Sequence, residues 1–409
     1  MCRTSDNAAK PAAVTPVRTI PKSPPKGPLL PFRATEYEVV GTPDAILQTG
    51  LDQAVAHART LGELGSNPRV AFSVILLANN DNHKSAEFLG NEMFFSASVL
   101  KVAAMYAAHE LRFAVRNFAA EKKKAGKTFP DARAFFAALV SEFDPLIKAA
   151  ALPQVLAKAE EMAASPGAQD IRSTPAYEEI FQVTGLSSAN IDVEFKMKPG
   201  AAGPNEFSDN MEAMIHTSSD SGARGTIRAL SYTYINAALI KAGFFAPDPD
   251  PMKSKGIWLC GDYSGGQDPF LDFHFGQNKM LAEVTTARQI SRMFALIRLR
   301  KLVSPDDSDA MQDLLGNSNL SWLTVIKPPV TDVEVPLRKV GVDSGLISEG
   351  AAVSWIDPTV KANFTAHNLT GELAVCWQNL RSFTSQDKEF RGIVRVLRET
   401  VSYYLSHTP

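Results

Sequence analysis

Cysteine is scarce in this sequence. The 409 residues contain three, Cys2, Cys260 and Cys376. Their spacing matches neither a zinc site nor a disulfide framework. A bridge between Cys260 and Cys376 is one option, and two free buried thiols are the expected state. No metal or other cofactor is expected.

An excess of charge of either sign is also lacking. The chain has 42 basic and 44 acidic residues, for a formal net charge of -2. Nucleic-acid-binding domains usually carry a basic surface, so nucleic acid is not an expected partner. The composition, 45% hydrophobic and 21% charged, is that of an ordinary globular protein with enough apolar residues for a large core.

Long apolar runs are absent as well. No run approaches the roughly 20 residues of a membrane helix, so no membrane span is expected. The first 32 residues also lack the apolar centre of a secretory signal. The compartment stays open: cytoplasmic for the chain as given, or periplasmic or secreted if its N-terminus was trimmed. The oligomeric state is also left open.

Hydrophobic periodicity predicts a two-lobed α+β fold. After a Pro-rich stretch, the patterns indicate a helix, two strands, many helices, three strands and a final helix. The two groups of strands can form one five-stranded antiparallel sheet, flanked by the N- and C-terminal helices. The middle would then form an all-helical lobe. A cleft between the lobes is the default place for a site.

The same patterns predict the domain boundaries. Residues 1–34, rich in Pro, Ala and Lys, are expected to form a flexible tail. The remainder, 35–409, is expected to be one domain. Its sheet lobe combines 35–110 with 325–409, and its helical lobe covers 111–324. An Ala-rich segment at about 117–205 enlarges the helical lobe.

A Ser followed three residues later by a Lys can carry nucleophilic chemistry. At the start of a helix both side chains lie on one face, and a partly desolvated Lys can accept the serine proton. Ser98-Val-Leu-Lys101 has the right context, because it follows a predicted strand pair and opens a strongly apolar helix. Two other copies have poorer contexts, the Pro-rich tail and a helix cap: Ser23/Lys26 and Ser385/Lys388.

These residues belong to a longer pattern. The segment FFSASVLKVAAMYAA, with RVAFSVILLAN before it, resembles the nucleophile region of class A β-lactamases and the wider penicillin-binding serine hydrolases. That family carries S-x-x-K, S-D-N and K-T-G in chain order on a two-lobed fold. Here the second motif is matched by Ser219-Asp220-Ser221 and the third by Lys339-Val340-Gly341. The resemblance covers about residues 40–405.

The resemblance implies acyl transfer on an amide, ester or lactam, with a small-molecule or peptide-like acyl substrate. Ser98 would attack the carbonyl and form an acyl-enzyme, with Lys101 as general base or proton relay. Ser219 would pass a proton to the leaving nitrogen, and Lys339 would attract a substrate carboxylate. The oxyanion hole would use the backbone N–H groups of Ser98 and Val342.

The sequence departs from the family at three places. Ser221 replaces the Asn that holds the substrate, and Val340 replaces a Thr or Ser that binds its carboxylate. No Glu that could activate the deacylating water occurs between Ala246 and Ala282. The carboxylates in the second half of this loop are expected to be turn residues: Asp262, Asp268 and Asp272. Ordinary penicillinase activity is therefore not expected.

A literal S-D-N also occurs, as Ser208-Asp209-Asn210. It precedes the apolar helix MEAMI, and the acidic residues Asp209 and Glu212 are typical of a helix start. We interpret this copy as a helix start. His216, at the end of the same helix, is expected to make local hydrogen bonds and not to act as a base.

Two alternatives stay open at this point. The altered motifs also fit a non-catalytic ligand-binding or scaffold protein that keeps the fold. A D-Ala-D-Ala carboxypeptidase-like enzyme is the other alternative, because it needs no Glu in the loop.

Overall fold

A computed structural model describes residues 29–64, 69–164, 171–186, 191–200, 203, 205–250, 253–264, 270–271, 273–274, 280–319, 321–325, 332–343, 346–381 and 388–408. Most of the predicted tail lies outside these ranges. So do three other residues of the sequence analysis, Asp268, Asp272 and Ser385.

The strands, in chain order, are β1 (Thr42–Pro43), β2 (Ala71–Ala78), β3 (Lys84–Phe88), β4 (Phe181–Thr184), β5 (Asp192–Phe195), β6 (Phe245–Ala246), β7 (Lys255–Gly256), β8 (Trp258–Leu259), β9 (Phe273–His274), β10 (Met280–Leu281), β11 (Glu283–Val284), β12 (Val333–Asp343), β13 (Leu346–Trp355) and β14 (Leu369–Arg381). The helices are α1 (Ala45–Thr60), α2 (Lys101–Lys124), α3 (Ala132–Ala150), α4 (Pro153–Ala163), α5 (Tyr177–Ile180), α6 (Phe207–His216), α7 (Asp220–Leu230), α8 (Tyr232–Lys241), α9 (Ala287–Arg298), α10 (Pro305–Gly316), α11 (Trp322–Val325), α12 (Pro358–Ala366) and α13 (Lys388–His407).

One sheet joins both ends of the described chain, in the order β1-β3-β2-β14-β13-β12. The pairs among β3, β2, β14, β13 and β12 are antiparallel, as the sequence predicts. The predicted count of five is wrong by one strand, because β1 pairs in parallel with β3. A two-residue strand is too short to leave a periodic pattern in the sequence.

The sheet separates two hydrophobic cores. On one face α1 and α13 pack against it, with Leu47, Trp377 and Ile393 among the buried side chains. On the other face lies a larger core that includes α2, α8 and α9. Because both faces are covered, all eight residues of β2 are buried, which explains its nearly continuous apolar sequence.

The helical part differs in detail from the sequence prediction. The helical periodicity of residues 223–243 indicates one helix, but the structure has two, α7 and α8, divided at Ser231, whose φ of 67° lies in the left-handed region. The Ala-rich segment contains the hairpin β4–β5 besides its helices. Helix α12, between β13 and β14, was not predicted. Cys260 and Cys376 are buried free thiols, the expected state.

No helix in the described ranges is both long and apolar enough to cross a membrane.

Candidate active site

Ser98 lies in a short 3₁₀ turn, Ala97–Leu100, that leads directly into α2. The residue before it, Ala97, has a φ of 47°, a conformation that is costly for a residue with a Cβ. Such strain often occurs at functional sites, where the surrounding structure maintains it. Ser98 itself is half-buried. The turn therefore presents its side chain at the N-terminus of a buried helix.

Lys101 is the first residue of α2 and is only 1% exposed. Its Nζ donates to the backbone carbonyl of Ser218 and to Oδ1 of Asp220, both at 2.6 Å. The Asp220 side chain is 78% exposed, so this ion pair joins a buried lysine to a solvent-exposed carboxylate. The two acceptors fix the position of the ammonium group.

Lys339 approaches the same turn from the sheet. Its Nζ donates to the Ser218 hydroxyl oxygen at 2.7 Å. Burial and the nearby charge of Lys101 together lower the pKa of Lys339 to about 7, and Asp220 acts in the opposite direction. Two lysines from different lobes therefore meet at one serine.

That serine is Ser218, although the sequence analysis placed Ser219 there. The Ser219 hydroxyl accepts from the N–H of Gly222 at 3.1 Å and lies 2.9 Å from the Ser221 hydroxyl. Ser219 is the N-cap of α7, so its side chain satisfies the helix end. Ser218 precedes the cap with a φ of 58°, and this turn directs its hydroxyl towards Lys339. The residues in contact with the lysines are thus Ser218 and Asp220.

Gly341 brings β12 against the Ser98 turn. A Cβ on Gly341 would lie 2.1 Å from the carbonyl oxygen of Ser96 and 3.0 Å from the backbone nitrogen of Ser98. Only a glycine allows so close a contact between two backbones. Val342, the next residue, is 51% exposed. The structure therefore brings together Ser98, Lys101, Lys339 and Gly341.

Sequence reasoning missed Glu283, which lies on β11 one residue beyond the loop searched for a Glu. Its carboxylate packs over Gly261, where a Cβ would lie 1.6 Å from Oε1. Burial, together with the charge of Asp262, raises the pKa of Glu283 to about 7, and the charge of Lys101 opposes the rise. The Tyr263 ring, from the same loop, has its centroid 5.8 Å from the Lys101 nitrogen. Extending the search to the strand before α9 would have found this residue.

The literal S-D-N copy starts α6, as predicted. Glu206 is the N-cap, and the Asp209 carboxylate accepts from its backbone N–H at 3.0 Å in a capping box. The helix packs tightly on α7, since a Cβ on Gly222 would lie 2.6 Å from the Asn210 carbonyl oxygen. His216 makes the expected local contact, with Nδ1 3.3 Å from Glu212.

Comparisons with known proteins give a distant likeness of fold. No family model matches the chain, and no curated protein matches it. Among solved structures, PBP-A is similar with 12% identity, covering 90% of this chain and 97% of its own, at a TM-score of 0.43. A class A β-lactamase from Mycobacterium abscessus is similar with 11% identity, covering 85% of this chain and 98% of its own, at a TM-score of 0.44. A β-lactamase from Sphaerobacter thermophilus is similar with 11% identity, covering 88% of this chain and 98% of its own, at a TM-score of 0.42. These similar structures are β-lactamases and PBP-A, and the likeness is one of fold.

Proposed function

We propose that this chain is a serine hydrolase that forms an acyl-enzyme at Ser98 on an amide, ester or lactam. The observation that carries the proposal is the convergence of two buried lysines on Ser218. Lys101 follows Ser98 by three residues, and Lys339 precedes by two residues the glycine that contacts the Ser98 turn, Gly341. Two buried lysines at one residue, one on its carbonyl and one on its hydroxyl, are costly unless the arrangement has a use. A serine-lysine pair at the start of an apolar helix supplies the nucleophile.

The backbone around Ser98 supports stabilisation of the oxyanion. The first N–H groups of a helical turn have no partner within it, and the N–H of Ser98 is one of these. Strand β12 is the edge of the sheet, so alternate N–H groups along it point away from β13. We assign the oxyanion hole to the N–H groups of Ser98 and Val342, which Gly341 brings together.

The roles of Ser218, Ser219 and Ser221 follow from their contacts. We assign proton transfer to the leaving group to Ser218, because its hydroxyl contacts Lys339. Ser219 and Ser221 bond to each other, and Ser219 also caps α7. They are therefore better suited to hold the turn than to transfer a proton.

Glu283 is our candidate for the base that activates water in deacylation. A carboxyl group with a pKa near 7 is matched to accepting a proton at neutral pH. Its strand, β11, contacts the turn that bears Ser98, and the charges of Lys101 and Asp220 both act on Glu283, which supports this assignment. Val340 still offers no hydroxyl for a substrate carboxylate, so ordinary penicillins stay poor candidate substrates.

Intact-protein mass spectrometry tests the proposal. The chain would be incubated with benzylpenicillin, a cephalosporin and p-nitrophenyl acetate, and digested to locate any adduct. We expect a mass increase of one acyl group on the peptide containing Ser98. If no reagent leaves an adduct or is hydrolysed, catalysis is rejected. Thermal stabilisation by a ligand without an adduct would then favour the non-catalytic alternative.

A variant of the literal motif separates helix capping from catalysis. Asp209→Ala removes the capping-box carboxylate of α6, so we expect unfolding to become easier by about 1 kcal/mol in a denaturant titration. Adduct formation should stay within twofold of the parent protein. Ser208→Ala is the matched control, with neither effect. A folded Asp209→Ala protein that formed no adduct would show that we have assigned the site to the wrong copy of the motif.

A further inference from the structure

The two lysines that meet at Ser218 have different partners. Lys101 donates to two acceptors, one of them the carboxylate of Asp220. The bond described for Lys339 is to the Ser218 hydroxyl, and no carboxylate lies within ion-pair distance of it in the part of the chain described. Lys101 therefore has an anionic partner, whereas the partner of Lys339 is a neutral hydroxyl.

The sheet also isolates Lys339 from other carboxylates. Lys339 lies opposite Gly350, on the face that packs against Ile290 and Phe294 of α9. Its neighbours in the sequence, Arg338 and Val340, point to the other face, as does Glu349, which pairs with Val340. The nearest charges that face Lys339 are therefore those of Lys101 and Asp220.

We propose that Lys339, acting through Ser218, takes up the proton of Ser98 during acylation, while Lys101, bonded to Ser218 and Asp220, positions the turn. The proposal rests on the proposed function, since it needs an acylated Ser98. The lowered pKa of Lys339, about 7, agrees with this role, because its amine is then available as a base near neutral pH.

The proton transfers balance. As the Ser98 oxygen bonds to the substrate carbonyl carbon, its proton moves to the Ser218 oxygen, whose own proton moves to Lys339 Nζ. When the bond from carbon to the leaving group breaks, the leaving atom takes the proton of Ser218. Ser218 recovers a proton from Lys339, which returns to the free amine. No co-reactant is needed.

This assignment also bears on the substrate. A free amine at Lys339 cannot attract a carboxylate as an ammonium does, and Val340 adds no hydroxyl. Around the same cleft, Asp220, Asp262 and Asp343 all act on Glu283 through their charge. We therefore expect neutral acyl substrates to be preferred to those that bear a carboxylate next to the scissile bond.

The test is the pH dependence of single-turnover acylation by p-nitrophenyl acetate between pH 5 and 10. In the parent protein the rate should rise about tenfold per pH unit and level off above about pH 7. Lys339→Arg cannot accept a proton at these pH values, so it should acylate at least about 100-fold more slowly and lose the inflection. Lys101→Arg, although slower, should keep the inflection near 7.

Two further variants show whether the inflection belongs to Lys339 or to another group. Glu283 has a pKa in the same range, so Glu283→Gln must keep the acylation inflection and affect only deacylation. Lys339→Ala should regain acylation when methylamine is added, in proportion to its free-base concentration, which a merely unfolded protein would not do. An inflection lost in Lys101→Arg but kept in Lys339→Arg would overturn the assignment. A parent protein that is never acylated would refute the proposed function instead.

Discussion

The Ser98→Ala variant is expected to form no covalent adduct with any acylating reagent and to lose at least about a thousandfold in turnover. The reason is that the acyl-enzyme needs an oxygen nucleophile at this position, and an alanine has none. The loss should appear in the rate of hydrolysis and not in folding, because a half-buried serine tolerates this change. Intact-protein mass spectrometry and a hydrolysis assay measure the two effects.

Ser96→Ala is the matched control. The Ser96 hydroxyl is two residues away, is buried, and has no hydrogen-bond partner among the described residues. Its removal should leave both the adduct and the rate unchanged. An adduct that persists in Ser98→Ala and maps to Ser218 would reassign the nucleophile to the serine between the lysines.

Gly341→Ala is expected to reduce acylation at least about 100-fold and to destabilise the fold by about 1–3 kcal/mol. Its Cβ would overlap backbone atoms of the Ser98 turn, with Val99 nitrogen at 2.9 Å and the Ser96 carbonyl oxygen closer still. Backbone cannot move aside as a flexible side chain can, so β12 must shift away from Ser98. The N–H of Val342 would then no longer be aimed at the same point as the N–H of Ser98.

Gly316→Ala is the control for a glycine that can be replaced. It lies at the end of α10, and its Cβ would meet only the Pro336 carbonyl oxygen, at 3.2 Å. Acylation should be unaffected there, and stability should change by less than about 1 kcal/mol. If Gly341→Ala were as active as this control, the oxyanion hole could not use β12.

The sequence predicts the main sheet well because its strands are long and carry strong patterns. Strands such as β2 and β14 are apolar over most of their length, and α13 has a clear amphipathic period. The elements that were missed are short or depend on one backbone angle. Ser231, which divides α7 from α8, is not a glycine, yet its backbone adopts a left-handed conformation. No pattern in the sequence predicts that conformation.

The candidate site is harder to predict, since it depends on the direction of side chains. The letters Ser219-Asp220-Ser221 favoured Ser219, yet a serine that begins a helix uses its hydroxyl for the cap. The contact of Ser218 with Lys339 depends on a turn between two helices. Glu283 reaches the cleft by strand pairing with Leu259, a contact that sequence distance does not reveal.

The close contact of α6 with α7 has a mechanical consequence for catalysis. Asn210 lies against Gly222 and also against Gly225, where a Cβ would be 2.6 Å from its amide nitrogen. The two helices therefore touch almost without intervening side chains, and the turn that bears Ser218 joins two elements that cannot slide independently. In the proposed mechanism the Ser218 hydroxyl, which accepts from Lys339, is thus held in place before any substrate arrives, so that little entropy is lost in aligning it. The literal Ser-Asp-Asn motif, which has no catalytic part in this proposal, supplies some of this rigid support.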